Sequence, residues 1–347
     1  MEIDRRYQEG GEKGRLRYGI IEVTRRCQLR CQGCYLVRRN QLGKVEMSLG
    51  EAIHVLDLCR EFLGHDLETM DILGGEPLLW PYLKDYIEVL IGRGIKPWIF
   101  TNMLAVNAEM ARWLFERQIN ITGKWNIADV NDSEQLRLQG ELAGGNEIIA
   151  RKMYQAMKIF QAVGYRDPLF RLENLLRRAN LNLVPGFLRF CKEENLGYDI
   201  EVVGSGEGLN LGYYEIAPTA RELANLVRDL QQQELPDLEE RLLMPHLVGS
   251  CCFFDRGLYF ATDGSIRACS NSTRTLASIT DPNPVRTAWN SPLLCSRRNL
   301  SQATMGEPCH SCDRWEKCRG GCRATAEGMG DANSGYPLCP LPILRQE

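Results

Sequence analysis

The chain has 347 residues and a formal net charge of −3, with 44% hydrophobic and 25% charged residues. That is enough chain for a barrel plus a second domain, in the composition of a globular protein, with no global positive field to attract nucleic acid. No run of about eighteen apolar residues occurs, so no helical span of a membrane is expected, and the charged stretch from Met1 to Arg17 lacks the apolar core of a signal peptide.

The first strand is predicted from Arg17 to Val23. Three cysteines follow within eight residues, as Cys27-x3-Cys31-x2-Cys34, with Tyr35 directly behind. Ser48 and Glu51 form a capping-box pattern that opens a helix. Leu49, Ala52, Ile53, Leu56 and Cys59 fall on one face at helical spacing, which makes Cys59 a core residue rather than a ligand. Met70 to Leu73 reads as a strand, ending in Gly74-Gly75-Glu76-Pro77. A helix from Tyr82 to Ile91 leads to a strand from Ile95 to Phe100, ending in Thr101-Asn102. Ala108 to Arg117 is helical, and Ile119 to Trp125 is a strand ending in Asn126.

The polar interval from Asp129 to Gly145 reads as a loop or short helix. A long amphipathic helix from Glu147 to Val163 stops at Gly164. Leu169 to Leu176 is a strand, with Glu173, Arg177 and Asn180 near it. The helix from Pro185 to Glu194 puts Cys191 on its apolar face, so Cys191 is also expected in the core. Tyr198 to Val203 is a strand ending in Gly204-Ser205-Gly206. Thr219 and Glu222 cap a last helix reaching about Gln233.

These are six βα units. Strands alternating with helices imply parallel pairing and right-handed crossovers, hence an α/β fold with a partial, TIM-like (β/α)6 barrel. In such barrels the chemistry sits at the carboxyl ends of the strands. The cysteine loop, Gly74 to Pro77, Thr101-Asn102 and Asn126 all fall on that rim.

Thiolates are soft ligands for zinc, copper(I) or iron–sulfur clusters. A structural zinc site would bring two C-x2-C-like pairs, and no second pair follows Cys34 within about the next hundred residues. A [4Fe–4S] cube normally takes four thiolates. This loop supplies three, which leaves one iron open.

The spacing Cys27-x3-Cys31-x2-Cys34 followed by an aromatic residue resembles the cluster loop of radical S-adenosylmethionine (SAM) enzymes. The resemblance implies that these cysteines hold three irons and that the fourth iron chelates SAM. Gly74-Gly75-Glu76-Pro77 resembles the second signature of that family, which implies contact with the methionyl amino group, Glu76 accepting. By the same resemblance, Tyr35, Thr101, Asn102 and Asn126 fall where the family binds its cofactor. Arg177 would pair with the SAM carboxylate, since a guanidinium fork matches a carboxylate; a solvated charge is the competing reading.

Arg25, Arg26, Arg30, Arg38, Arg39 and Lys44 crowd the cysteine loop without acidic neighbours in sequence. One use is docking an acidic electron donor, flavodoxin or ferredoxin; the other reading is a solvated loop.

Beyond about Pro236 the composition changes. Of 14 cysteines in the chain, eight patterned ones lie here: adjacent Cys251 and Cys252, Gly264-x4-Cys269 on a hairpin with an Asp263-Gly264 turn, Cys309-x2-Cys312-x5-Cys318-x3-Cys322, and Cys339. This arrangement resembles the SPASM domain, which carries two auxiliary [4Fe–4S] clusters. The resemblance implies one cluster on Cys309, Cys312, Cys318 and Cys339, and another on Cys269, Cys322 and one or both of Cys251 and Cys252. Adjacent cysteines in a strand point to opposite faces, so Cys252 is expected to ligate and Cys251 is left open. Cys295 is an ordinary thiol or a hydrogen-atom donor.

The expected organisation is an N-terminal segment at 1–17, the barrel at 18–235 and a cysteine-rich SPASM domain at 236–347. The expected function is that of a cytoplasmic radical SAM oxidoreductase or maturase. Reductive cleavage of SAM would give a 5′-deoxyadenosyl radical that takes hydrogen from a peptide, a protein or a small molecule, with oxidation, crosslinking or epimerisation as the outcome. The short N-terminal segment favours a substrate other than a leader-guided peptide. The alternatives are an iron–sulfur electron-transfer or scaffold protein without SAM chemistry, and a zinc-stabilised binding module.

Overall fold

Strand order fixes the architecture. The computed structural model describes residues 15–38, 41–43, 45–204, 213–233, 255–328 and 333–346. Its strands are β1 (Tyr18–Thr24), β2 (Thr69–Gly74), β3 (Lys96–Thr101), β4 (Asn120–Lys124), β5 (Phe170–Leu176), β6 (Gly197–Val202), β7 (Gly257–Phe260), β8 (Ser265–Arg267) and β9 (Ala277–Ser278). They form one sheet in the order β6-β5-β4-β3-β2-β1-β7-β8-β9. From β1 to β6 every neighbouring pair is parallel. The order never reverses, so each crossover steps the same way and the sheet curls like a barrel instead of opening like a doubly wound sheet. β1 takes β7 as its second neighbour, not β6, so the barrel stays partial.

The six barrel strands lie within one residue of their predicted limits. The cause is local. Ser48 accepts from the Glu51 backbone N–H while the Glu51 carboxylate accepts from the Ser48 backbone, closing the capping box of helix Leu49–Leu63. Thr219 and Glu222 do the same for helix Ala220–Gln232. The buried face of the first helix is Ala52, Val55, Leu56 and Cys59. Val55 replaces the predicted Ile53, which is only half-buried. Cys59 and Cys191 are fully buried. The polar interval after β4 is a ten-residue helix, Ser133–Leu142, capped by Asp132, whose side chain accepts from the backbone N–H groups of Glu134 and Gln135.

The C-terminal region does not stand apart from this sheet. β7 pairs in parallel with β1, Tyr18 opposite Gly257 and Ile21 opposite Phe260. β8 then turns back antiparallel through Asp263-Gly264, where Gly264 takes φ 79°. A left-handed turn position suits glycine because it has no Cβ to clash. The hydrophobic core is continuous: Leu258, Phe260, Ile266 and Cys322 pack in the same buried cluster as Ile21, Ile72 and Ile99.

Candidate active site

The cysteine loop leaves the carboxyl end of β1 and is pinned from three sides. The Arg30 and Gln32 backbone N–H groups donate to the carbonyls of Ala143 and Leu142, at the end of helix Ser133–Leu142. Arg177, at the end of β5, donates from Nη2 (2.6 Å) and Nε (3.1 Å) to the Gln32 carbonyl. The Glu76 backbone N–H donates to the Arg26 carbonyl at 2.8 Å. Gly75 must be glycine here, because a Cβ would stand 2.1 Å from the Arg26 carbonyl oxygen.

A cavity of about 330 Å³ opens beneath the loop. Cys27, Cys31 and Cys34 line it, together with Tyr35, Gly74, Gly75, Thr101, Asn102, Asn126 and Arg177. Residues separated by up to 150 positions in sequence therefore share one chamber, although several of them are already engaged. Asn126 Oδ1 accepts from the Leu175 N–H and its Nδ2 donates to Gln139, so this amide braces β4 against β5. Arg177 grips the loop carbonyl and is nearly fully buried, which overturns the reading of it as a solvated charge.

Glu76 does not reach the chamber. It is fully buried, and its carboxylate accepts from Thr101 Oγ1 (2.6 Å), the Asn102 N–H (2.7 Å) and the Leu78 N–H (3.0 Å). Donors from both sides of the carboxylate make Glu76 a brace between β2 and β3. Burial pushes its carboxyl up to about 7, against those three hydrogen bonds. Pro77, equally buried, starts the short 3-10 turn Pro77–Leu79.

The basic loop is also less free than its sequence implied. Arg25 is buried between Glu22 and Asp263, at 2.8 Å from each. Arg26 pairs with Glu46 at 2.8 Å, and Arg30 donates to the carbonyls of Cys27 and Leu29. All three acidic partners, Glu22, Asp263 and Glu46, come from outside the cysteine loop. Arg39 and Lys44 lie outside the described residues, as do Cys251, Cys252, Ser205 and Gly206.

One wall of the chamber carries charges of which the sequence reading named only Glu173. Lys124 on β4 pairs with Glu173 on β5. Arg171 on β5 holds Asp199 on β6 through two bonds of 2.8 Å. Asp71 and Glu201 also line it. Burial alone would lower the Lys124 pKa, but the nearby carboxylates of Glu173 and Glu201 raise it, so it holds its proton. The available signal was the strand period. Arg171 and Glu173, like Asp199 and Glu201, sit two apart and share one face.

The donor set suits a positively charged, thiophilic group. Burial pushes the Cys27 thiol up to about 11 and the Cys31 thiol up to about 12, and the neighbouring thiols push the same way. The Leu29 N–H (3.4 Å) and Asn102 Nδ2 (3.6 Å) both point at Cys27 Sγ, as donors to a thiolate would. Among the described residues no three His, Cys, Asp or Glu groups close on a single metal ion; a cube of four irons needs its ligands set wider.

A second thiol set lies in the C-terminal region. Cys309, Cys312, Cys318 and Cys339 lie together: after burial, the main cause, the thiols of Cys309 and Cys312 push those of Cys318 and Cys339 further up. Backbone N–H groups serve their sulfurs: Tyr336 to Cys309, Gly320 and Gly321 to Cys318, and Leu341 to Cys339. Cys269 and Cys322 are buried, and the Thr325 N–H donates to Cys322 Sγ at 3.4 Å. Cys295 is half-buried, with its thiol 3.5 Å from the Asn290 carbonyl.

Residues 21–123 match the radical SAM superfamily model. The PqqA peptide cyclase of Granulibacter bethesdensis is 24% identical over 345 residues, 93% of this chain and 86% of the relative. A tungsten-containing aldehyde ferredoxin oxidoreductase cofactor-modifying protein of Pyrococcus furiosus is 24% identical over 192 residues; the match takes in 55% of this chain and spans about half, 51%, of that relative. Among solved structures, native anSMEcpe with bound AdoMet and Cp18Cys peptide superposes with a TM-score of 0.68 at 15% identity, covering 96% of this chain and 98% of its own.

Fold, chamber and the match over residues 21–123 make this chain similar to the radical SAM superfamily. The C-terminal cysteine spacing resembles that of the SPASM domain. Among the described residues no helix is long and apolar enough to cross a membrane.

Proposed function

We propose that Cys27, Cys31 and Cys34 hold the catalytic cluster, that the chamber takes SAM, and that the substrate is a peptide. One observation carries the reading: three thiols at the end of β1 face the same cavity as the glycines of β2 and the polar rim of β3 and β4. When bound, the cluster and SAM together supply a 5′-deoxyadenosyl radical, which removes a hydrogen atom from the substrate.

The chain's own part is to bind and enclose. Gly74 and Gly75 offer bare backbone at the rim, with Gly74 at φ 147°. Thr101 and Asn102 are fixed by Glu76, so their orientation is set before any ligand enters. Tyr35 closes the loop side, its hydroxyl donating at 3.2 Å to that of Tyr259, whose own proton goes to Glu22. The β4–β6 wall excludes bulk water while keeping paired charges inside.

Peptide modification is favoured over a small-molecule substrate because a relative matched over nearly its full length is a peptide cyclase. This runs against the expectation drawn from the N-terminal segment. We assign one auxiliary [4Fe–4S] cluster to Cys309, Cys312, Cys318 and Cys339, and a second to Cys269, Cys322 and a partner from Cys251 or Cys252. An external donor, flavodoxin or ferredoxin, would deliver the electron, and a reducing cytoplasm would suit so many ligand thiols. Anaerobic protein with dithionite and SAM should release 5′-deoxyadenosine. Replacing Cys27, Cys31 and Cys34 by alanine should abolish it, and unchanged release would refute the assignment. Mass spectrometry of a co-expressed candidate peptide tests the substrate class.

A further inference from the structure

Arg323 directly follows Cys322 and is 2% exposed, among the largest fully buried side chains of the protein. Its Nη1 donates to the Ser334 carbonyl at 2.8 Å and its Nε to the Gly321 carbonyl at 3.4 Å. Nη2 donates to the Gly320 carbonyl. One guanidinium therefore ties the turn between Cys318 and Cys322 to the segment that leads into Cys339.

The two glycines make room for it. Gly320 and Gly321 have φ of 83° and 69°, the left-handed region that glycine enters without steric cost. A Cβ on Gly320 would stand 3.0 Å from Arg323 Nη2, and one on Gly321 would stand 2.8 Å from Tyr336 Cβ. The turn is thus shaped to let the side chain fold back beneath the cysteines. Its field reaches Cys309, where it opposes the effect of burial.

Arginine stays protonated under all ordinary conditions, and a buried charge acts through a low effective dielectric. Four thiolates around a [4Fe–4S] cube leave a net negative charge that grows on reduction. The reduction potential of such a cluster follows net charge and hydrogen bonding around the sulfurs. We propose that Arg323 is the fixed counter-charge of the cluster on Cys309, Cys312, Cys318 and Cys339, setting its reduction potential and locking the Cys339 segment onto the Cys318–Cys322 turn. The inference rests on the auxiliary-cluster reading above.

The test uses full-length protein with Cys27, Cys31 and Cys34 replaced by alanine, so that only auxiliary iron remains. Iron and sulfide are measured first; their absence would refute the auxiliary clusters themselves, a failure separate from that of Arg323. The relevant signal in an anaerobic, EPR-monitored redox titration is the one lost in Cys309→Ala. Arg323→Gln should move its midpoint to more negative potential, the reduced-to-oxidised ratio at fixed potential falling about tenfold, or about 59 mV for one electron. Arg323→Lys, which keeps the charge, should recover most of that shift. An unmoved midpoint in Arg323→Gln with iron intact overturns the proposal. If Arg323→Gln fails to hold iron, Gly320→Ala, which displaces the guanidinium, decides: a smaller negative shift supports the proposal, and none overturns it.

Discussion

Arg25 Nη2 lies 2.8 Å from Asp263 Oδ2, joining residues 238 positions apart. Arg25 stands two residues before the first cluster-loop cysteine, and Asp263 sits in the β7–β8 turn. On its other side Arg25 Nε donates to Glu22 at 2.8 Å. Glu22 is fully buried and also accepts from Thr262 Oγ1 (2.6 Å), the Thr262 N–H (3.3 Å) and the Tyr259 hydroxyl. A polar knot thus binds the root of the cysteine loop to the C-terminal hairpin.

That knot predicts unequal costs. Glu22→Ala strips Arg25, Tyr259 and Thr262 of a buried acceptor and should lower stability by about 3–5 kcal/mol. Asp263 is 38% exposed at its side chain, and water screens it, so Asp263→Ala should cost about 1–2 kcal/mol. Thermal unfolding of the two variants checks this; equal losses would contradict it.

Glu76 gives a pH dependence. Its folded pKa is raised, from 4.5 to about 7, by burial. The neutral form is therefore the one folding favours. The contribution to stability is present in full below 4.5 and is lost as pH rises through about 7. Glu76→Gln cannot titrate and should flatten that slope, while losing the acceptor for the Asn102 N–H. Chemical denaturation across this range, compared between parent and variant, decides. A parent whose stability rises relative to the variant over the same interval would show the sign to be wrong.

Gly75→Ala should be damaging out of proportion to one methyl group. Its Cβ meets the Arg26 carbonyl oxygen at 2.1 Å, so either β2 or the cluster loop must move. The expected loss is about 1–3 kcal/mol, together with weaker SAM binding. Gly43→Ala is the control, since nothing lies within 4 Å of a Cβ there. Equilibrium dialysis with SAM and thermal unfolding report the two effects.

Thiol chemistry offers a fourth test. In metal-free protein Cys27 and Cys31, pushed up to about 11 and about 12 from 9.0, hold far less thiolate than a free cysteine at neutral pH. Their alkylation should be slower by about a hundredfold and about a thousandfold respectively, and both rates should climb with pH. Iron loading, which requires deprotonation, should be favoured in the same direction. Mass-resolved alkylation kinetics would test it, and rates like those of an exposed thiol would count against it.

Much of the barrel was legible because its signals are local. Ser48 with Glu51, Thr219 with Glu222, and the glycines after the strands act within a few residues. The period of apolar residues did less well where two faces compete, and Ile53 was taken for Val55. The cysteines could be read because metal ligation imposes spacing. What escaped was non-local pairing. Nothing in Arg17 to Val23 announces that Glu22 is buried against Thr262 and Tyr259, or that Arg25 has an acidic partner in a distant turn. Glu76 was visible as a residue but not as a brace, because its three donors come from two rim segments folded over it. The parallel pairing of β7 with β1 was equally hidden, since the Asp263-Gly264 turn announces a hairpin but not the barrel strand it joins.

That pairing bears on how such enzymes can be recombined. A strand contributed from beyond residue 256 completes the flank of the one from which the cysteine loop springs. A protein cut at the end of helix Ala220–Gln232 would bare that flank as a ragged hydrogen-bonding edge, prone to sticking to its own kind. Grafting the tail of another family member onto this barrel would therefore have to match a strand register, not merely a linker.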